Sequence, residues 1–246
     1  MNMHPCKAGG TSRGFALAIA TTLATSLLLS AGIAQADDRT KVQEQRNGDG
    51  SWLRLTQTEH QASGTRTIRV DLRGSSAEPY GTVLERTQPL SEFPNGWGYL
   101  EDMDGDGLQE ITEIQYCGAG PNCTKNIFKV NPERRKAWLF LHGGFFVIRR
   151  IGEFVVTEGR SGCCSWEHQV FRIPPTERTI TEQDQAYTIS VNGPLEKDST
   201  TARCFITRSV GSRWVITDLI NQPLRQLCRR YGDDVEINPP SAVSTP

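Results

Sequence analysis

Apolar and polar positions alternate along most of this chain, in short runs separated by Gly, Pro, Asn and Asp. Alternation with a period of two puts every second side chain on one face and predicts half-buried strands. Trp52 to Thr58 reads Trp-Leu-Arg-Leu-Thr-Gln-Thr, and a polar turn follows at Gln61 to Gly64. Thr65 to Leu72 then sets Ile68, Val70 and Leu72 on one face, which completes a hairpin signature. Similar runs span Thr82 to Arg86, Glu110 to Tyr116, Asn126 to Val130, Trp138 to Leu141, Phe145 to Ile148 and Glu153 to Thr157. Further runs lie at Trp166 to Ile173, Ala186 to Val191, Ala202 to Arg208 and Arg213 to Asp218. The pattern predicts an all-β fold, β-propeller-like or another multi-hairpin antiparallel arrangement, rather than alternating β and α units.

One short C-terminal helix is expected. Pro223 suits a first helical position, Gly232 suits the residue past the end, and Leu224, Leu227 and Cys228 share a face. Arg229 and Arg230 complement the negative helix end.

The N-terminus departs from this alternation. Lys7 and Arg13 precede an apolar run from Phe15 to Ile33, and Ala34-Gln35-Ala36 offers small residues for cleavage after Ala36. Residues 1–36 therefore read as a secretory signal peptide. No other apolar stretch is long enough to span a bilayer, so no membrane span is expected after cleavage. Residues 37–50 read as a flexible segment, 51–237 as a single β-rich domain, and 238–246, with three Pro and no periodicity, as a disordered tail. The full chain carries 27 basic and 28 acidic residues, so no strongly basic face for nucleic acid is expected.

Of seven cysteines, Cys6 lies in the signal segment. The remaining Cys117, Cys123, Cys163, Cys164, Cys204 and Cys228 form an even set, which after an export signal argues for disulfides in an oxidising compartment. Cys117 with Cys123 and Cys204 with Cys228 are the expected pairs. That leaves Cys163–Cys164 as the default third bond, although adjacent Cα atoms at ~3.8 Å lie below the usual disulfide range.

The strongest motif is Asp102-Met103-Asp104-Gly105-Asp106-Gly107-Leu108-Gln109-Glu110, followed by Glu113. Three aspartates at alternate positions can converge in a tight turn that Gly105 and Gly107 permit. Ca²⁺ takes about six to eight oxygens, and these carboxylates, a backbone carbonyl near Leu108 and a later Glu supply most of them. The string matches an EF-hand loop with Glu113 as its last acid. Its flanks look like strands, however, which makes Glu110 the preferred fourth carboxylate and Glu113 the second choice. Gly48-Asp49-Gly50 lacks the other acids and reads as a turn only.

No catalytic set emerges, and the chain is not expected to be an enzyme. Leu141-His142-Gly143-Gly144 is similar to an oxyanion-hole segment, but no Gly-x-Ser-x-Gly elbow accompanies it, and a hairpin turn is the expected role. Cys163-Cys164-Ser165-Trp166 lacks the distant downstream His of a thiol protease. No carboxylate pair stands out beyond the acidic loop. Among the aromatics, Tyr116 and Phe146 included, most are expected in the core, whereas Trp97, between Gly96 and Gly98, and Trp166, beside the cysteine pair, are better interface anchors.

The acidic loop resembles that of FG-GAP, integrin-like propeller repeats. Together with Cys117-Gly118-Ala119-Gly120-Pro121-Asn122-Cys123 and Ser161-Gly162-Cys163-Cys164-Ser165-Trp166, it is similar to a narrower group. These are periplasmic immunity proteins that inhibit peptidoglycan hydrolase effectors of the antibacterial type IV secretion system. The resemblance covers roughly residues 93–175, and this chain shows one acidic loop rather than a repeated array. It implies a propeller-like fold, bound calcium and a lysozyme-like hydrolase as protein partner. The loops at 117–123 and 161–168 are the expected contacts, with Arg160, Glu167 and His168 as candidates beside Trp97 and Trp166. The alternative is a calcium-stabilised envelope adhesion or scaffold module without inhibitory activity.

Overall fold

The structure is a computed structural model and describes residues 37–90, 96–118, 120–194, 199–211, 213–218 and 220–239. The expected signal peptide and residues 240–246 of the expected tail lie outside the described residues.

Among the described residues, fifteen strands form three sheets. The first sheet is a meander of β1 (Arg39–Arg46), β2 (Trp52–His60), β3 (Thr65–Arg73) and β4 (Gly81–Pro89). The second is a meander of β5 (Tyr99–Glu101), β6 (Glu110–Cys117), β7 (Cys123–Asn131) and β8 (Lys136–Phe145). The third runs through β9 (Val147–Ile151), β10 (Phe154–Arg160), β11 (Ser165–Arg172), β12 (Gln185–Asn192), β13 (Ala202–Val210) and β14 (Arg213–Ile216). The last strand, β15 (Val235–Ile237), joins β13 in parallel. This is the all-β multi-hairpin architecture expected from the alternation, and no closed barrel forms among the described residues.

Alternation decides how the sheets stack. Leu53, Leu55, Ile68, Val70 and Leu72 from the first sheet pack against Leu100, Ile111, Phe128 and Val130 on one face of the second. The opposite face of the second sheet sends Ile127, Phe140, Leu141 and Phe145 toward Val155, Phe171 and Ile180. The far face of the third sheet, with Val156, Val170, Ile189 and Ile206, is covered by Leu224, Leu227 and Cys228. Each such aliphatic side chain contributes about 1.5–3 kcal/mol when fully buried, so the central sheet is held from both sides.

The C-terminal helical segment begins as an α-turn, α1 (Gln222–Arg225), capped by Asn221, whose side chain accepts from Leu224 N. It tightens to a 3₁₀ turn at Gln226–Tyr231 and ends at Gly232, whose φ of 115° suits glycine. The Cys204–Cys228 disulfide ties this segment to β13.

Several sequence expectations need correction. Residues 39–46 are not a loose segment but an edge strand paired along β2 from Arg39↔Glu59 to Arg46↔Trp52. One apolar residue, Val42, gave no period to read, and the strand is held by ladder hydrogen bonds rather than by a buried face. His142 is not in a turn; it lies within β8, where its Nδ1 meets Asn126 Oδ1 at 2.7 Å. The run Phe145 to Ile148 is split, because Phe146 N donates to Glu158 O and the chain changes sheets there. Asn238, assigned to the tail, is seated: its side chain donates to Thr217 O and Asp218 and accepts from Ile206 N.

Candidate functional site

The acidic loop spans residues 102–109 between β5 and β6, so its flanks are strands. It folds on its own carboxylates. Asp102 accepts from Gly105 N at 2.8 Å and from Gly107 N at 3.0 Å, Asp104 from Asp106 N at 3.2 Å, and Asp106 from Leu108 N at 2.8 Å. Gly105 and Gly107 take φ of 72° and 86°, which side chains rarely adopt. The turn at Asn47–Ser51 buttresses the loop: Gly48 N donates to Gly107 O, and Asn47 Oδ1 accepts from Gln109 N. The second Gly-Asp-Gly is thus a turn with a partner.

One ligand oxygen each from Asp102, Asp104 and Asp106 lies within 4.8 Å of the others. Oxygens on opposite sides of a Ca²⁺ stand about 5 Å apart, so the three are close enough to share one coordination sphere, and the donor chemistry suits a hard cation. Glu110 and Glu113 divide across β6, because three residues along a strand reverse the face. Glu110 turns to the loop, is 2 % exposed, and accepts from Met103 N at 2.8 Å. Glu113 turns away from the loop: it accepts from Asn126 Nδ2 on neighbouring β7 at 2.5 Å and pairs with Arg86 Nε of the first sheet at 3.3 Å. Glu113 is therefore not brought to the three aspartates.

A residue that the sequence reading did not single out completes the loop. Lys129 Nζ on β7 stands 2.7 Å from Asp104 Oδ2, 2.8 Å from Asp106 Oδ2 and 3.3 Å from Glu110 Oε1. Burial works against the charge on Lys129, but Glu110, Asp104 and Asp106 outweigh it and hold the ammonium well above its ordinary pKa. Burial pushes Glu110 up to about 7, with Lys129 opposing. The clustered aspartates thus have an internal counter-cation. A hard cation held by Asp102, Asp104 and Asp106 would take over two oxygens that Lys129 now holds.

The cysteine segments assemble at one end of the molecule. Cys117–Cys123 closes the β6–β7 connection, with Cα atoms 4.1 Å apart. Asn122 at its tip donates to Arg160 O at 2.9 Å and accepts from Arg160 N at 2.8 Å, stitching it to the β10–β11 hairpin. The Arg160 guanidinium is spent within that hairpin, donating to Gly162 O and Cys163 O. The third disulfide does not form: Cys163 and Cys164 Sγ atoms stand 3.4 Å apart and are not bonded to one another. Neighbouring positions leave too short a Cα spacing for relaxed bridge geometry.

The other contact candidates fall on two faces of β11. Glu167 lines a cleft beside Asn122, Gly159 and Arg160. Trp166 and His168 face the C-terminal segment, with Arg230 stacked 4.0 Å over the Trp166 ring and Phe146 6.0 Å away. Trp97 is not part of this end: it lies under the buried Arg66, which also donates to Gly96 O and pairs with Glu59. Two aromatic residues that were expected in the core flank the stitched loops instead, Tyr116 at 44 % and Phe146 at 43 % exposure.

No described helix is long and apolar enough to cross a membrane. No protein-family model and no curated protein matches the chain. A solved structure described as that of a Xanthomonas type IV secretion system related protein is similar to it at a TM-score of 0.40 and 11 % identity, over 72 % of this chain and 93 % of that one, a remote likeness.

Proposed function

We propose that this is an exported, calcium-binding periplasmic protein without catalytic activity that blocks a peptidoglycan hydrolase with the end where residues 117–123 and 160–165 meet. The reciprocal Asn122–Arg160 hydrogen bonds carry this reading, because they join the two predicted contact loops into one surface. A disulfide braces one loop and an arginine braces the other. Loops ordered before association lose little entropy on binding, which favours tight insertion into an enzyme cleft. Exposed Tyr116 and Phe146 supply the aromatic anchors that interfaces favour. Calcium at Asp102, Asp104 and Asp106 would fix the β5–β6 connection and so the sheet that bears the first loop.

The reading is tested by mixing the purified protein with a panel of peptidoglycan hydrolases, including a lysozyme, and measuring complex formation and cell-wall clearing. A one-to-one complex with loss of clearing is expected for at least one of them.

A scaffold role is the second reading. It is favoured by the edge strand β14, whose Trp214, Val215 and Ile216 are 46 %, 38 % and 60 % exposed and whose outer edge pairs with no described strand. Such an edge suits strand addition.

A further inference from the structure

On the face of the third sheet opposite the Glu167 cleft, β9, β11 and the C-terminal segment enclose an open groove of about 410 Å³. Arg149, Arg229 and Arg230 line it, and His168 forms part of its floor. His168 is 1 % exposed, and neither ring nitrogen has a hydrogen-bond partner. A buried imidazole left in that state forfeits about 1–3 kcal/mol, and with both nitrogens sealed from solvent the ring serves the groove as a floor and not as a donor.

The arginines are presented rather than consumed. Glu158, almost fully buried, accepts from Arg149 Nη2 at 3.0 Å and pairs with Arg230 Nη1 at 3.0 Å. Each guanidinium carries five N–H donors, so most of their donors remain. Arg149, Arg230 and Arg229 remain 44 %, 36 % and 59 % exposed, and Arg229 pairs with exposed Asp233 at 3.2 Å. Three arginines against Glu158 and Asp233 leave one net positive charge facing the groove. His168 Nδ1 stands 3.7 Å from Glu158 Oε2, too far for a hydrogen bond.

We infer that this groove is a receptor for a single carboxylate, presented by an acidic side chain of a protein partner, with Arg149, Arg229 and Arg230 supplying charge and donors above the His168 ring. One net positive charge matches a carboxylate better than a doubly charged phosphate. His168 adds no charge near neutrality, because burial and the two neighbouring arginines hold its pKa down to about 4. Arg230 also covers Trp166, so the groove adjoins the hairpin tip of the proposed inhibitory surface. The partner as source of the carboxylate rests on that reading; the site itself does not.

The test is a titration of the intact protein at pH 7 with acetate, N-acetylglutamate amide and inorganic phosphate, followed by NMR of the His168 ring. A ligand of few atoms binds at best weakly, so saturation at ~10 mM or above is expected. Arg229→Gln, which touches no buried group, should weaken acetate about two- to fivefold. Arg134→Gln on the second sheet makes the same charge change at a distance and should leave the titration unaltered. Absence of a saturable shift, equal effects of both variants, or tighter binding of phosphate than of acetate would each overturn the assignment. None of these results depends on whether a hydrolase binds, so this inference and the inhibitor reading can fail separately.

Discussion

Lys129 Nζ lies 2.7 Å from Asp104 Oδ2, so the acidic loop already holds one positive charge before any metal is added. Two predictions separate the lysine from the metal. Saturating Ca²⁺ at about 100 times its dissociation constant should add roughly 2.7 kcal/mol, or about 5–10 °C in melting temperature for a chain of this size. Asp104→Ala should abolish that rise. Lys129→Met should lower the melting temperature in chelator and enlarge the rise with Ca²⁺, because a competitor for two oxygens is gone. Differential scanning calorimetry with Ca²⁺ and with chelator checks both; unchanged curves with and without Ca²⁺ would refute the metal.

Asn122→Ala removes both hydrogen bonds to the Arg160 backbone, a net loss of about 1–3 kcal/mol to the junction at ~0.5–1.5 each. The Arg160 amide should exchange with solvent faster, while the buried β12 and β13 amides stay protected. Hydrogen exchange resolved by residue reads the two regions separately.

The cysteines should differ in chemistry by burial. Cys163 is exposed and not disulfide-bonded, so it should alkylate in the native protein. Cys204 and Cys228 are fully buried and should react only after unfolding and reduction. Cys228→Ser opens a closure of 24 residues and should cost about 2–4 kcal/mol, measured by urea unfolding.

Acid should weaken the fold through His168. Its folded pKa is about 4 against 6.5 for a free imidazole, so the unfolded chain binds the extra proton. Stability contributed by the neutral ring is whole above pH 6.5, declines as pH falls toward 4, and is then spent. The span of that decline is up to about 3 kcal/mol. His168→Phe should flatten urea-unfolding stability between pH 6.5 and 4; a slope equal to that of the unaltered protein would contradict the assignment.

The sequence showed the hairpins because β2 alternates without a break between a buried and a half-exposed face, and β3 and β12 do so apart from one interruption each. It hid β1, whose polar residues show no apolar period although Arg39, Thr40 and Glu44 reach side chains of β2 and β3, and it hid the faces on which side chains meet. Glu110 was preferred to Glu113 from the strand-like flanks, and β6 sets the two on opposite faces, with Glu110 on the side of the loop. Lys129 lies 19 residues beyond Glu110, and only the β6–β7 pairing brings it to the loop. The Asn122–Arg160 link joins positions 38 apart across two sheets, a relation that no local pattern carries. The 117–123 disulfide was legible because it closes a short turn between two strands, and the 204–228 disulfide because it ties the expected helix to a strand; the adjacent pair was not, since proximity alone does not give bridge geometry.

The most direct test measures binding of the calcium-loaded protein to purified peptidoglycan hydrolases by calorimetry, alongside a Tyr116→Ala, Phe146→Ala variant with an unchanged melting temperature. The account predicts a one-to-one complex with at least one hydrolase, loss of its cell-wall activity, and affinity at least about tenfold weaker in the double variant, as removal of two aromatic anchors implies. A folded protein that binds and inhibits no hydrolase, or a complex indifferent to both substitutions, would contradict it.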